Sequence, residues 1–543
     1  MKKFIKFLFS FTIFINSVGS YAQTNLLDIE TYVDDYTGYD IAQTGSRTSS
    51  TNVSKCPSNS SFNIGGTTGV GISTQKFIRL QNDDLTISLD SLGVHPSILF
   101  NSSELTKIQI AVALHKEPHY SSFLNLKSYC DSYLSYSPAP YTGAVTDDFY
   151  SKTLLPASIA RNLAVAYCLT NNIAYAQKSA QILNAFSSAM AGNAAIDNAI
   201  SLKIARATFP FICAYDMLLN TGVFSVVDKN QIVQYFRMIE NKVKIGAQEW
   251  DDNDYYNKQY YNNHLVSHAM SLLAIGTALD DAALIQYILD SDFCPRDVVE
   301  LQRGLILMSN DTDCVRVKNL PKDDGEIMDR YRHITAGGRG LQYSTLVLHL
   351  FAPIALICKH RGWDLFQYKA PTGEWLKLSF DYYSDYWRTK DSGIKRGYYG
   401  PHAQENARLN AQDDWIGVFD IALGQYPESK PLQDVVASYN RPVQHMNLLG
   451  FTGLFAPIES ATSISKQINT ENIQISYSNN NLHITSDFLS SVKVINLSGI
   501  VVLETDQQKS NLHEMKLNLA SSVYLVQVKS AGGSLIKKIL ITN

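Results

Sequence analysis

Nowhere after the first two dozen residues does the chain hold about 20 consecutive apolar residues, so no internal segment reads as a membrane-spanning helix. Paired cysteines are missing too. The seven cysteines, Cys56, Cys130, Cys168, Cys213, Cys294, Cys314 and Cys358, form no C-x-x-C pair, which argues against a zinc knuckle. Positive charge is not in excess: Lys and Arg number 46 against 50 Asp and Glu, a formal net charge of -4. No global basic field draws in a polyanion, and no nucleic-acid partner is expected. An acidic ligand has to be held by local Arg, Lys and His. No G-x-G-x-x-G follows a strand, and no redox cofactor is called for. A clean internal repeat is also absent, which weighs against an open α-solenoid.

What remains is an ordinary globular composition, 45% hydrophobic and 18% charged over 543 residues. That length suits one large domain with one or two small ones. The 31 Tyr and 23 Phe suit either a sugar-binding groove or a large aromatic core. Lys2, Lys3 and Lys6, the apolar run Phe7 to Ile15 and the small-x-small site Ser20-Tyr21-Ala22 read as a signal peptide over residues 1–22. The protein is therefore expected to be secreted or held at the cell surface. Cys168, Cys213 and Cys358 lie in apolar helical runs and read as small buried hydrophobes. Cys294 and Cys314 flank a loop, and an oxidising compartment would permit a bridge between them.

Residues 23–105 read as an irregular leader with short strands, such as the alternation at Leu85, Ile87 and Leu89. Residues 106–455 carry apolar residues at three- and four-residue steps. The runs are Leu105 to His115, Leu154 to Leu169, Ala174 to Ala191, Ile200 to Leu219, Asp228 to Ala247, Leu265 to Leu279, Ala283 to Leu289, Tyr343 to His360 and Trp375 to Trp387. Short loops and no strand between them predict antiparallel helix hairpins. The expected fold is mainly α: an incomplete (α/α) toroid with a groove at one end. After a linker over 456–470, residues 471–543 alternate as short strands and predict a small β-sandwich.

Two stretches share a pattern, polar and glycine-rich residues running straight into an apolar helix: YYNNHLVSHAMSLLAIGTA (Tyr260 to Ala278) and GGRGLQYSTLVLHL (Gly337 to Leu350). In the first, Asn262, Asn263 and His264 are suited to holding a carboxylate, with helix N-terminal N–H groups adding to the attraction. The bland alternative is that an Asn caps the helix and His264 lies on the surface. His264 and His268 share a helical face, but no Glu stands beside them and no third ligand is evident, so no metal is expected. In the second stretch, Arg339 and Tyr343 are four residues apart and would face the same way on a helix. A cation near a phenol lowers its pKa and equips it to move a proton. The alternative is a packed Tyr beside a solvated Arg.

The YYNNH entry (Tyr260 to His264), the Arg-x-x-x-Tyr-Ser segment (Arg339 to Ser344), Gly362-Trp363-Asp364-Leu365-Phe366 and the hairpin TLLPASIARNLAVAYCLTNNIAYAQKSAQIL together resemble the alginate-lyase superfamily of polysaccharide lyases. The resemblance implies β-elimination on an acidic polysaccharide such as alginate, polymannuronate or glucuronan. It implies that Asn263 and His264 neutralise the uronate carboxylate. Tyr343 would act as base and acid, with Arg339 assisting. Asn262, Tyr261, Arg330, Arg332 and Gln342, in or near these motifs, are expected to bind substrate. At Gly337 the sequence departs from the family, which carries a further Arg there, and Arg330 or Arg332 would supply that charge. The tail resembles a type IX secretion sorting domain through the NLSG turn (Asn496 to Gly499), the VYLVQV strand and the terminal KKILI strand. That implies outer-membrane secretion machinery as a partner. Two rival readings are a toroid glycoside hydrolase, with carboxylates drawn from Asp251, Asp252, Asp254, Glu326 and Asp329, and a non-catalytic glycan-binding protein.

Overall fold

A computed structural model describes residues 91–189, 196–252, 261–291, 294, 297–311, 323–329, 340–395, 402–411, 416–439, 448–458, 474–478, 480–485, 489–496, 501–506, 512–530 and 533–541. The signal peptide, Leu85 to Leu89, Cys56, Cys314, Arg330, Arg332, Arg339 and Asp254 lie outside the described residues, as does most of the linker.

The helical body runs α1 (Ser102–Ala113), α2 (His119–Tyr133), α3 (Asp147–Thr170), α4 (Ile173–Ser187), α5 (Asn198–Leu218), α6 (Val226–Asp252), α7 (Asn263–Ala278), α8 (Ala282–Leu289) and α9 (Val298–Leu305). A two-residue ladder follows, β1 (Ile306–Leu307) against β2 (Glu326–Ile327), which corrects the expectation of helices with no strand between them. The body then continues through α10 (Gly340–His360), α11 (Leu376–Thr389), α12 (His402–Ala411), α13 (Val418–Gln425), α14 (Lys430–Ala437) and a 3-10 turn at Thr452–Phe455. The first described helix begins at Ser102, inside the stretch read as leader, because Asn101 and Glu104 close a reciprocal capping box there.

Each hairpin has a local cause. Asn171 adopts φ 56°, a left-handed conformation that Asn tolerates, and ends α3. Asn172 then accepts the Ala174 N–H and starts α4. The neighbours of successive long helices close a ring: α3 packs on α5, α5 on α7, α7 on α10, α10 on α13, α13 on the 3-10 turn, that turn on α2, and α2 back on α3. α4 and α6 pack together on α5. The ring is filled by one contiguous apolar core. Cys168, Cys213 and Cys358 are buried in it, as their apolar runs predicted. Cys294 is buried as well, and Cys314, the partner suggested for it, lies outside the described residues. Among the described residues, only α10 is long and apolar enough to cross a membrane, and it is wholly buried inside the ring.

The directions of three ring helices matter for the site. Ser201, early in α5, lies 2.8 Å from His268 of α7. At the other end His95 bridges Asp216 of α5 (2.7 Å) to Asp280, just past α7 (2.9 Å). These two helices therefore run the same way. Arg361, immediately after α10, donates to the Thr277 carbonyl near the end of α7 at 2.8 Å. The C-terminal ends of α7 and α10 meet, so their N-terminal ends open at the same end of the ring.

The segment before α1 is strapped to the ring by charge. Asp216 also accepts the Ser97 and Ile98 N–H groups, and Glu104 bonds His360 at 2.7 Å and Lys359 at 3.2 Å. Burial opposes the charged form of His95. The hydrogen bonds and charges of Asp216 and Asp280 outweigh it and raise the His95 pKa above 6.5. Burial also works against the Glu104 carboxylate, but His360 and Lys359 prevail and hold it at about 2. A raised imidazole contributes stability below its unfolded pKa and loses it as pH rises through the folded value. A depressed carboxylate contributes above its unfolded pKa and loses it as pH falls toward 2. We expect the thermal midpoint to peak between about pH 4.5 and 6.5 and to fall on both sides. Asp280→Asn should flatten the alkaline side, as read by thermal denaturation across pH. An unchanged alkaline limb in that variant would contradict this assignment.

The C-terminal domain is a two-sheet sandwich. β3 (Gln474–Ser478), β4 (Asn481–Thr485) and β7 (Leu512–Lys516) form one sheet in the order β3-β4-β7. The other, ordered β6-β5-β8-β9, is built from β5 (Leu489–Asn496), β6 (Val501–Asp506), β8 (Ser522–Ser530) and β9 (Gly533–Ile541). Ile475, Leu482, Ile484, Val492, Val494, Val526 and Val528 alternate inward and fill the space between the sheets. Ile495 and Leu525, opposite each other in the ladder, point outward and pack on Ala113 of α1.

Candidate active site

The first sequence motif begins α7. Asn262 is the N-cap: its Oδ1 accepts the His264 N–H at 2.8 Å. Asn263 is the first helical residue, and its backbone N–H donates to Asp329 Oδ2 at 2.7 Å. The expectation that these N–H groups attract the substrate is therefore corrected. Buried donors at a helix start need partners in the resting protein, and Asn262 and Asp329 fill that role. A carboxylate serves the second motif similarly: Glu405 of α12 accepts the Leu341 N–H at 3.3 Å in the first turn of α10.

The side chains that remain form a compact polar layer. Asn263 Nδ2 donates to Asp329 Oδ2 at 3.0 Å, and Asn263 Oδ1 accepts from Arg206 Nη2 at 2.6 Å. Arg206 Nε also donates to Ser267 Oγ at 2.8 Å, and Ser267 in turn donates to the Asn263 carbonyl at 2.7 Å. His264 is not a surface residue; it is 1% exposed, and its ring lies 4.9 Å from that of Trp250. His268 is turned to Ser201, and burial, with Arg206 nearby, pushes its pKa down to about 3. The two histidines thus have separate surroundings. Among the described residues no cluster of His, Cys, Asp or Glu has the form of a metal site.

Tyr261 donates its hydroxyl to Glu300 Oε1 at 3.0 Å, and its ring lies against Gly304 of α9. Its polar end is thus engaged within the protein. A Cβ on Gly304 would stand 2.2 Å from the Tyr261 ring. Gly304→Ala is expected to cost roughly 1–3 kcal/mol and to displace the entry to α7. A thermal midpoint equal to that of the parent would show that the ring yields freely.

Tyr343 and Gln342 lie in the first turn of α10, both buried. The described part of this helix begins at Gly340, and Arg339 lies outside the described residues. Tyr343 stands 18 residues before Arg361, and Asn263 stands 14 before Thr277, the residue that Arg361 bonds. At 1.5 Å per residue these are depths of about 27 and about 21 Å in two packed helices that point the same way. Tyr343 and Asn263 therefore both lie near the end of the ring opposite the Arg361–Thr277 contact. Tyr343, Asn263 and His264 thus stand at the starts of two packed helices that open at the same end of the toroid, and each is 1% exposed.

Sequence reasoning missed Arg206 entirely and gave Asp329 a different part. Arg206 is a buried cation in the apolar run IARATFPFICA of α5, and a charge there signals a buried partner. Of the five carboxylates named for hydrolysis, Glu326 and Asp329 are engaged within the protein. Asp329 holds Asn263, while Glu326 accepts from the Tyr382 hydroxyl at 3.0 Å and from the Asp323 N–H at 2.9 Å.

Residues 151–392, from within α3 to just past α11, match the family model described as alginate lyase. Both helices of the candidate site fall inside that match. Among solved structures, the chain is similar to alginate lyase A1-III from Sphingomonas species A1, at 12% identity over 69% of this chain and 98% of that one, with a TM-score of 0.47. A tyrosine-to-phenylalanine form of alginate lyase A1-III complexed with a tetrasaccharide aligns at 12% identity over 70% and 99% of the two chains, with a TM-score of 0.48. An alginate lyase from Bacteroides ovatus aligns at 13% identity over 66% and 99%, with a TM-score of 0.47. No curated protein sequence matches the chain.

Proposed function

We propose that this chain, a polysaccharide lyase by the domain it carries, cleaves a polyuronate such as alginate, polymannuronate or glucuronan by β-elimination. The observation that supports this most is the donor capacity of Asn263. Its amide nitrogen has two hydrogens; Asp329 takes one, and no described residue takes the other. A buried N–H beside an imidazole, at the same end of the ring as a phenol, suits a sugar carboxylate held while its neighbouring carbon loses a proton.

The reaction needs that arrangement. The C5 proton of a uronate is weakly acidic while the C6 carboxylate keeps its charge. Asn263 and His264 donate to that carboxylate and stabilise the enediolate that forms as the proton leaves. Tyr343 removes the C5 proton. The C5–H electron pair becomes the C4–C5 double bond, the C4–O bond breaks, and the leaving oxygen takes a proton, which Tyr343 supplies. Arg339 favours the ionised phenol. Enclosure strengthens each of these interactions by excluding water.

The test is a panel of alginate, polymannuronate, polyguluronate and glucuronan, with unsaturated ends followed by ultraviolet absorbance. We expect absorbance to rise on at least one polymer. Chain shortening without unsaturated ends would replace the lyase reading with hydrolysis.

The C-terminal sandwich serves, in our reading, as a type IX sorting domain that delivers the enzyme to the outside of the cell. The VYLVQV and KKILI segments support this. Deleting residues 471–543 should leave the protein inside the producing cell, as followed by immunoblot of cells and medium. Undiminished export would remove the role.

A further inference from the structure

The side chain of an asparagine is ambiguous: turned by half a revolution, it presents an acceptor where it presented a donor. For Asn263 that choice decides whether a sugar carboxylate meets an N–H or a carbonyl oxygen. We infer that Arg206 of α5 and Asp329, just after β2, are positioning residues that fix the polarity of the Asn263 amide so that its donor faces the substrate. The inference rests on the proposed use of Asn263 as a carboxylate donor.

The geometry supports it from both sides. Arg206 Nη2 is 2.6 Å from Asn263 Oδ1, and Asp329 Oδ2 is 3.0 Å from Asn263 Nδ2. Reversing the amide would set N–H against a guanidinium and C=O against a carboxylate. Both contacts would turn repulsive in a buried setting, where Arg206 is 2% and Asp329 0% exposed. Arg206 is itself oriented. Its Nε is held by Ser267, one turn along the same face of α7, so the guanidinium meets the helix at two points. Asp329 likewise holds the Asn263 backbone N–H, so the carboxylate is pinned where the amide needs it. A guanidinium, an amide and a carboxylate from three separate parts of the chain thus form one polarised line. Its remaining donor, the second Nδ2 hydrogen, points to the ligand.

The experiment compares Arg206→Met, Arg206→Lys and Asp329→Asn in the parent and in an Asn263→Ala background. The substrate is the polyuronate that the parent cleaves best. Arg206→Met should lower kcat about 10- to 100-fold with KM within about threefold, because the donor is lost chiefly where charge develops. Arg206→Lys should recover part of the loss, since it retains one charged donor. In the Asn263→Ala background Arg206→Met should cost less than about twofold, because its target is gone. An equal cost in both backgrounds overturns the inference, as does a kcat for Arg206→Met within twofold of the parent. If Arg206→Met does not fold, Asp329→Asn is read by the same criteria.

A crystal structure reads the lock without activity. With both anchors removed in an Arg206→Met/Asp329→Asn double variant, the Asn263 amide should leave its parent orientation, and an amide unchanged in place overturns the inference. A parent that cleaves no polyuronate would defeat the proposed function, while this structural arm would still decide the lock.

Discussion

Tyr343→Phe should fold as the parent does and form unsaturated ends at least a hundredfold, and up to about ten-thousandfold, more slowly. The substitution removes one oxygen from a buried ring in the first turn of α10 and leaves the packing of that ring intact. The same oxygen is asked to take the C5 proton and to return one to the leaving group, which places the expected loss at the upper end. KM should change little, because the phenol acts on the reacting carbon and not on the carboxylate. Activity within a few-fold of the parent would assign the base to another residue. A large fall in thermal midpoint would show that the hydroxyl is structural.

Asn263→Ala is the second large effect. Losing a donor to a developing oxyanion costs on the order of a hundred- to a thousandfold in kcat. Stability should fall as well. The amide satisfies Arg206 on one side and Asp329 on the other, and removing it leaves buried charged groups short of a bond, at roughly 1–3 kcal/mol. The kinetic and thermal effects are separable if rates are measured well below the midpoint of the variant. A variant with a lowered midpoint and normal kcat would make Asn263 a structural bridge and no more.

Much of the architecture was legible because long helices bury one face at a regular interval. The runs read at Leu154 to Leu169, Ile200 to Leu219 and Tyr343 to His360 are the central parts of α3, α5 and α10. The helix α2 escaped because its buried face is His119, Ser122, Phe123, Leu126 and Cys130, a stripe too polar to stand out. The helices α9, α12, α13 and α14 span only eight to ten residues, too few turns for a repeat to show. Strand β7 carries His513, Glu514 and Lys516 among five residues and reads as polar loop.

At the site, the polar knot before an apolar helix pointed to Asn263 and His264 because nothing local required two amides and an imidazole there. The partners of Asn263 were out of reach. Arg206 and Asp329 lie 57 and 66 residues away along the chain, and only the packing of α5 on α7 and the ladder before Asp329 bring them to it. A cation inside the apolar run from Ile204 to Ala214 was the trace that Arg206 left in the sequence. Capping by an Asn was one of the two readings the sequence offered, and Asn262 fills it; the capping role of Asp329 was hidden, because helix starts buried at a ring's end are satisfied from within by distant residues.

The most direct test of the account is a crystal structure of the Tyr343→Phe protein with a bound oligouronate. We predict one sugar carboxylate within hydrogen-bond distance of Asn263 Nδ2 and the His264 ring, with C5 of that sugar facing the ring of residue 343. An oligosaccharide bound elsewhere on the toroid, with Asn263 and His264 still enclosed and untouched, would contradict it.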